Sequence, residues 1–203
     1  MKKSFAAILI LSVLAVTLMS GCSKSSGTAL STAQISDLAV FLNNEANNAF
    51  VGRTEYASPK DIDLTMVLYD GLGLFENYDN LSAEEQADIA SATGWYIGGM
   101  PIFKLEKSRM EKSIKAKIGI ELDEVTMNID EVTDFFYIEK YDAYYTCHGD
   151  TEQKPITISG CKTTKDGLYA IDYYTSYYPE DKCTVTLKKT DDGYQFISDV
   201  KAA

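Results

Sequence analysis

The chain offers few side chains that could act as nucleophiles or bases. His148 is its one histidine, and Cys147, Cys161 and Cys183 are the three cysteines that follow residue 22. A dyad of His148 with Cys161 or Cys183 is possible, since a nearby imidazole activates a thiol. Cys147 is a poor partner for His148, because adjacent side chains on a strand point to opposite faces. The sequence therefore gives little support to nucleophilic catalysis.

Metal and carboxylate chemistry have equally weak signals. The late cysteines lack the close Cys-x-x-Cys pairing of a zinc site, so we expect neither a metal nor another cofactor. Motifs of serine hydrolases, zinc proteases, phosphate loops and dinucleotide sites do not occur. Asp142, Asp150 and Asp172 lie among aromatic residues, a setting that a glycosidase could use. Because 30 acidic residues make chance pairs common, solvated acids are the simpler interpretation, and we expect no enzyme.

The first 22 residues are typical of a bacterial export signal. Lys2 and Lys3 precede an apolar run, Phe5–Leu18, which is too short to cross a bilayer comfortably as a permanent helix. The four residues Met19–Cys22 resemble the lipobox of bacterial lipoproteins, although methionine stands where leucine is usual. The alternative is an ordinary secretory signal in which the cysteine is a coincidence.

The lipobox resemblance implies cleavage after residue 21 and a lipid on Cys22, which would anchor the chain to the outer side of the cell membrane. Residues 22–30 are small and polar and would form a flexible tether. Residues 31–203 would then form one extracytoplasmic domain, which we expect to be a monomer. The three remaining cysteines permit at most one disulfide within that domain.

The mature chain is strongly acidic. Cleavage removes two of the 19 basic residues, Lys2 and Lys3, and none of the 30 acidic ones, so the net charge changes from −11 to −13. Such a surface repels nucleic acid and other polyanions. The expected partner is therefore a polypeptide, a cation or a neutral glycan, and not a nucleic acid.

Helical patterns occupy residues 31–126. Three serines stand three positions before Gln or Glu, which is the pattern of a capping box at a helix start; they are Ser31, Ser82 and Ser108. Ser58-Pro59 predicts another helix start, while Gly94 and Gly119 predict helix ends. We expect about four helices in this half of the chain.

From residue 134 to residue 200 the pattern changes to that of strands. Short segments rich in aromatic and β-branched residues alternate with turn signals, and no helical pattern separates them. The predicted strands are 135–138, 141–147, 155–159, 168–174, 183–188 and 194–200. Turns are predicted at 148–150, 159–160, 166–167, 179–181 and 191–193. The predicted fold class is therefore α+β, with N-terminal helices packed on one C-terminal antiparallel sheet of five or six strands.

Between the two patterns, residues 95–103 form an apolar segment that contains the one tryptophan, Trp95, and two adjacent glycines. The simpler interpretation is a buried connector that packs the helices onto the sheet. The alternative is a loop that faces a ligand or partner, since glycine allows close approach of the backbone. Trp95 is therefore a candidate binding residue.

Tyrosine is concentrated in the strand half, which holds ten of the 14 tyrosines. The adjacent residues Tyr144 and Tyr145 place one ring on each face of a strand, so one ring is expected to face water or a partner. Tyr177 and Tyr178 precede Pro179 and are expected at a loop rim. Cross-strand packing would explain such residues as stabilisers, whereas tyrosine also suits a recognition surface.

Residues 141–151, followed by residues 183–201, resemble the C-terminal half of a group of uncharacterised secreted lipoproteins of low-GC Gram-positive bacteria. The shared pattern is an aromatic strand, then His148-Gly149-Asp150, then a terminal hairpin. The order of helices before sheet is more distantly similar to the secreted DL-endopeptidase inhibitor family, which blocks cell-wall hydrolases. That likeness implies loops that enter a protease cleft, here residues 148–152 and 177–181.

These patterns predict three possible functions, in order of preference. The first is a membrane-anchored extracytoplasmic binding module for an envelope protein or glycan. The second is an inhibitor or regulator of cell-wall hydrolases, and the third is a carboxylate-dependent hydrolase. The candidate binding residues are Trp95, Tyr144, Tyr145, His148, Asp150, Tyr177 and Tyr178.

Overall fold

The computed structural model describes residues 27–52, 54–69, 71–94, 101–127, 135–147 and 154–202. Within these ranges the fold is α+β, as predicted, with five α-helices and two antiparallel sheets. Several residues named above lie outside the described ranges: Cys22, Trp95, His148 and Asp150.

The elements follow one another in this order along the chain. The helices are α1 (Thr32–Leu42), α2 (Glu45–Asn48), α3 (Leu64–Tyr69), α4 (Ala83–Thr93) and α5 (Lys107–Ile118). The strands are β1 (Thr28–Ala29), β2 (Glu76–Asn77), β3 (Ile102–Glu106), β4 (Phe135–Ile138), β5 (Ala143–Cys147), β6 (Ile156–Thr163), β7 (Tyr169–Thr175), β8 (Tyr178–Thr190) and β9 (Gly193–Lys201). Short 3-10 turns occur at Pro59–Asp61, Gly71–Gly73, Tyr78–Asn80, Leu122–Glu124 and Glu139–Tyr141.

The strands form two sheets and not the single sheet that the sequence predicts. The first sheet has the order β1-β6-β7-β8-β9, and the second has the order β2-β3-β5-β4. Strands β6 to β9 form the predicted meander, while β1 pairs with β6 and places Thr28 opposite Thr163. Two residues of the predicted tether, Thr28 and Ala29, therefore belong to the first sheet.

Strand β3 lies in the half of the chain that the sequence assigns to helices. It pairs with β5 along its whole length, from Ile102 opposite Cys147 to Glu106 opposite Ala143. Ile102 and Phe103 therefore lie in a strand and not in a connector between helix and sheet. Because α5 follows β3 without a gap, Lys107 begins that helix and the predicted cap at Ser108 is wrong.

The helix start predicted at Ser58-Pro59 is only a 3-10 turn, Pro59–Asp61, while the remaining helix signals are confirmed. Ser31 forms a complete capping box at the start of α1, and the Ser82 hydroxyl caps α4. Gly94 and Gly119 end α4 and α5 in the left-handed conformation, which glycine adopts at low cost. These signals are local, so they can be recognised without knowledge of the fold.

Two predicted turns are wrong because the strands continue through them. Residues 179–181 lie inside β8. Ser159 and Gly160 lie inside β6 at a β-bulge, where the register with β7 shifts. A Cβ at position 160 would lie 2.9 Å from Oδ2 of Asp172, so a larger residue there would displace that carboxylate.

Two clusters of buried apolar residues hold the elements together. The main cluster joins α1, α3 and α5 to the first sheet and includes Leu42, Leu68, Ile114, Val185 and Phe196. The smaller cluster lies between α4 and the second sheet and includes Ile89, Ile102 and Tyr145. Helices and strands thus bury their apolar faces against each other, as the α+β prediction requires.

Strand β5 is buried on both faces. Tyr144 is 5% exposed and belongs to the main cluster, whereas Tyr145 is 0% exposed and belongs to the smaller one. The prediction that one ring of this pair faces outwards is therefore wrong. The physical reason is that β5 lies between β3 and β4 and has an apolar cluster above and below it.

A buried polar contact fastens α4 to the second sheet. The Tyr145 hydroxyl donates to Oε1 of Glu85 over 2.6 Å, and Nζ of Lys104 lies 2.8 Å from the same oxygen. Burial, followed by the hydrogen bond to the Glu85 carboxylate, raises the pKa of the Tyr145 phenol far above its ordinary range. Tyr145 therefore acts as a permanent hydrogen-bond donor to Glu85.

Candidate functional site

A polar cleft of about 230 Å³ lies on the first sheet, where β7, β8 and β9 approach the segment that follows α2. We call it the Asp199 cleft. Three neighbouring strands each contribute a titratable side chain to it: Tyr173 from β7, Cys183 from β8 and Asp199 from β9. Its outer side chains are Glu55, Lys154, Tyr178, Asp181 and Lys201. The cleft therefore combines a buried carboxyl group with an exposed aromatic ring and charges of both signs.

Asp199 is the buried acid of this cleft, with a residue exposure of 1%. Its Oδ2 accepts a hydrogen bond from the Tyr173 hydroxyl over 2.7 Å and another from the Gly52 amide over 3.2 Å. Its Oδ1 is equally buried, yet no donor in the described part of the chain bonds to it. Oδ2 thus accepts two hydrogen bonds, whereas Oδ1 accepts none from the described residues.

A bulge in β9 explains why Asp199 points inwards. Thr186 pairs with Ser198 but Leu187 pairs with Phe196, so Ile197 has no residue opposite it. This extra residue reverses the alternation of the strand, and both Phe196 and Asp199 become buried. Strict alternation along β9 would place Asp199 with Gln195 on the opposite face from Phe196, so the sequence pattern does not reveal its burial.

The cleft environment changes the acidity of its groups. Burial raises the pKa of the Asp199 carboxyl from 3.8 to about 7; the hydrogen bonds from Tyr173 and the Gly52 amide oppose this rise, and the charge of Glu55 adds to it. Burial and then the Asp199 charge raise the pKa of both the Tyr173 phenol and the Cys183 thiol. Near neutral pH, Asp199 is therefore the deep group that changes its protonation state.

Two asparagines join the segments on either side of the cleft. Nδ2 of Asn43 donates to the Ile156 carbonyl over 3.0 Å, and Oδ1 of Asn43 accepts from the Ile156 amide over 2.7 Å. Asn48 makes the same pair of bonds with Lys154, at 3.1 and 3.3 Å. Each side-chain amide makes the two hydrogen bonds that a neighbouring strand would otherwise make. The two asparagines thereby hold the start of β6 against α1 and α2.

Replacing Asn43 with alanine is expected to lower the free energy of unfolding by about 2–3 kcal/mol, because the amide and carbonyl of Ile156 both lose their partner. Urea denaturation followed by circular dichroism measures this difference. Asn44→Ala is the matched control, since it removes the cap of α2 at an exposed position and should cost about 1 kcal/mol. Equal losses in the two variants would contradict the proposed role of Asn43.

Of the predicted binding residues that the structure describes, only Tyr178 belongs to the cleft lining. Tyr178 lines the cleft at the start of β8, and Tyr177 precedes it in the turn from β7; both are exposed. Tyr144 and Tyr145 lie in β5 of the other sheet, with both rings buried. The remaining candidates lie outside the described ranges: Trp95, His148 and Asp150.

The acids proposed for glycosidase chemistry are separated. Asp142 lies before β5 in the second sheet and accepts a hydrogen bond from the Tyr137 hydroxyl over 2.6 Å. Asp172 lies on β7 in the first sheet and accepts one from the Thr184 hydroxyl over 2.7 Å. Both carboxylates therefore already serve local contacts in different sheets, while Asp150 lies outside the described ranges.

Cys161 and Cys183 are free thiols in the part of the chain that the structure describes. Burial raises the pKa of Cys147 and Cys183, and it raises that of Cys161 to about 11, so none of the three is activated as a thiolate. In the described part of the chain, no group of three or more His, Cys, Asp or Glu residues is placed to hold a metal ion. None of the helices that the structure describes is long and apolar enough to cross a membrane.

Comparison with protein-family models, with curated proteins and with solved structures finds no match to this chain. The function of the Asp199 cleft must therefore be inferred from its own residues.

Proposed function

We propose that the chain is a lipid-anchored extracytoplasmic binding protein that holds a polar group of an envelope polypeptide or glycan in the Asp199 cleft. The compartment in this proposal rests on the lipobox resemblance at Cys22. The main observation in its favour is that a buried, half-satisfied carboxyl group and the exposed Tyr178 ring line the same cleft. Tyrosine gives a ligand contact area and a hydrogen-bonding group at low entropic cost.

The size of the cleft limits what it can hold. Its volume of about 230 Å³ lies below the range of roughly 300–1,000 Å³ that is typical of sites for drug-sized molecules. It therefore suits one group of a larger ligand, with the remainder of the ligand lying over the exposed residues around it. An envelope polymer presents its side groups in this way.

The outer residues of the cleft make contacts that a ligand could displace. Nζ of Lys154 lies 5.4 Å from the centroid of the Tyr178 ring, and Nζ of Lys201 lies 3.4 Å from Oε1 of Glu55. Such exposed contacts are weak, at about 0–1 kcal/mol each. Their replacement by ligand contacts would therefore cost little.

Replacing Tyr178 with alanine is expected to weaken binding of peptidoglycan fragments at least about tenfold, the usual effect of losing a central aromatic contact. The measurement is a titration of the detergent-purified full-length protein with soluble muropeptides and wall oligosaccharides, followed by calorimetry. Tyr137→Ala is the matched control, since Tyr137 is also exposed but lies on β4 in the second sheet. Undiminished binding by the Tyr178 variant would remove the cleft from the proposal.

One observation favours the carboxylate-dependent hydrolase as a second candidate. Asp199 has a raised pKa and lies close enough to Glu55 for the Glu55 charge to contribute to that rise. A carboxyl group with a raised pKa beside a second carboxyl group could serve as the acid of a general acid–base pair. Release of new products from the same wall fragments, abolished by Asp199→Asn, would favour this candidate over the binding protein.

A further inference from the structure

Oδ1 of Asp199 is buried and has no hydrogen-bond donor in the described part of the chain. A buried carboxyl oxygen without a hydrogen-bond donor is unfavourable by about 1–3 kcal/mol or more, so native structures seldom leave one. Its neighbour Oδ2 already accepts two bonds, from Tyr173 and from the Gly52 amide. A ligand that brings a hydrogen-bond donor to Oδ1 would remove this unfavourable free energy.

The charges around the cleft favour a cationic donor. Among the residues that the structure describes, three acids line it, Glu55, Asp181 and Asp199, against two lysines. Lys201 is paired with Glu55, and Lys154 lies over the Tyr178 ring. In the described lining, the acids therefore outnumber the lysines by one. An anionic ligand group would be repelled there.

The dimensions of the cleft favour a slender cation. Asp199 is almost fully buried, and the whole cleft holds about 230 Å³. An ammonium group at the end of an unbranched alkyl chain can reach such a depth, whereas a guanidinium or the amine of a sugar ring presents a broader group. The Tyr178 ring, which already lies near one ammonium group, would contact the alkyl chain or the charge itself.

We propose that the Asp199 cleft binds the primary ammonium group of a lysine-type side chain on an envelope peptide, with Oδ1 of Asp199 as its acceptor. This inference rests on the proposed function and specifies its ligand. It also explains why a strand residue with an acidic side chain lies opposite Val185 in a buried position.

The proposal predicts a definite pH dependence. The groups that face Asp199 are Tyr173 on β7, Cys183 on β8, Lys201 on β9, and Glu55 and Tyr56 in the segment after α2. Because the cation binds the ionised form of Asp199, affinity should fall as the pH falls below about 7. Between pH 8 and pH 6 the ionised fraction drops about tenfold, so the dissociation constant should rise by about the same factor.

The experiment is an NMR titration of the detergent-purified full-length protein with n-butylammonium and with Nα-acetyl-lysine methylamide, observing the Gly52 amide. We expect saturable binding of both probes at pH 8, about tenfold weaker at pH 6, and at least tenfold weaker in Asp199→Asn. The asparagine keeps the size of the side chain and an acceptor for Tyr173 and Gly52. Asp191→Asn, in the exposed turn between β8 and β9 and outside the cleft lining, is the matched control for the loss of one negative charge.

Four results would overturn the proposal. These are equal affinity for n-butanol, equal affinity for glucosamine, undiminished binding by Asp199→Asn, and no binding of either probe at millimolar concentration. Wall fragments that still perturb the cleft while the ammonium probes do not would preserve the proposed function and remove this inference.

Discussion

Replacing Glu85 with alanine is expected to lower the free energy of unfolding by about 3–5 kcal/mol, because it leaves a buried charge without its partner. The side chains of Lys104 and Glu85 are only 12% and 9% exposed, and their charged atoms lie 2.8 Å apart. The same change removes the acceptor of the Tyr145 hydroxyl, which is completely buried. Thermal and urea denaturation followed by circular dichroism measure the loss.

The adjacent residue supplies the control for this prediction. Glu84 also pairs with a lysine, Lys140, at 2.6 Å, but its side chain is exposed to solvent. Glu84→Ala should therefore change the stability by about 0–1 kcal/mol. The combination of Glu85→Ala with Lys104→Met should recover part of the loss, since no buried charge then remains unpaired. Equal effects of Glu84→Ala and Glu85→Ala would show that the buried contact does not fasten α4.

The wild-type protein is expected to lose stability relative to Asp199→Asn as the pH rises from 4 to 8. The carboxyl has a pKa of about 7 in the folded chain and 3.8 ordinarily, so the folded state binds this proton more tightly than the unfolded state. The stabilisation of the folded state by the protonated Asp199 carboxyl is fully present below pH 4 and disappears as the pH rises through 7. This shift in the pKa of Asp199 corresponds to a change on the order of 4 kcal/mol in the free energy of unfolding between pH 4 and pH 8.

Urea denaturation of both proteins at four or five pH values, in buffers free of amines, tests this expectation. Subtracting the two profiles removes the titration of every group that the proteins share. Asp191→Asn, in the exposed turn between β8 and β9, controls for the loss of one negative charge. A constant difference between wild type and Asp199→Asn across the range would mean that the buried carboxyl does not take up a proton on folding.

The sequence predicts the local features of this fold well and the long-range ones less well. The capping box at Ser31 and the final hairpin of β8 and β9 depend on neighbouring residues, and both are found as predicted. Strand β3 was missed because its partner β5 follows about forty residues later, and an apolar segment of five residues does not by itself indicate a strand. That pairing also creates the second sheet, which buries both Tyr144 and Tyr145.

The same distinction applies to the candidate site. Tyr178 was predicted because a tyrosine pair before proline suggests an exposed rim, and it does line the cleft. Asp199 was missed because an alternating pattern gives no sign of the bulge at Ile197. The strand-like pairing of Asn43 with Ile156 depends on residues more than a hundred positions apart, so no local signal could reveal it.

The pairing of β1 with β6 limits the distance at which the folded domain would lie from the membrane. Thr28 is only six residues beyond the anchor that we propose at Cys22, and six extended residues span at most about 20 Å. Strand β1 forms one edge of the first sheet, while the Asp199 cleft lies on β7 to β9, up to four strands or roughly 19 Å away. The lipid would hold one edge of the domain near the headgroups and leave the opposite edge facing outwards. A ligand would therefore approach from the wall side, and only within a thin layer above the bilayer.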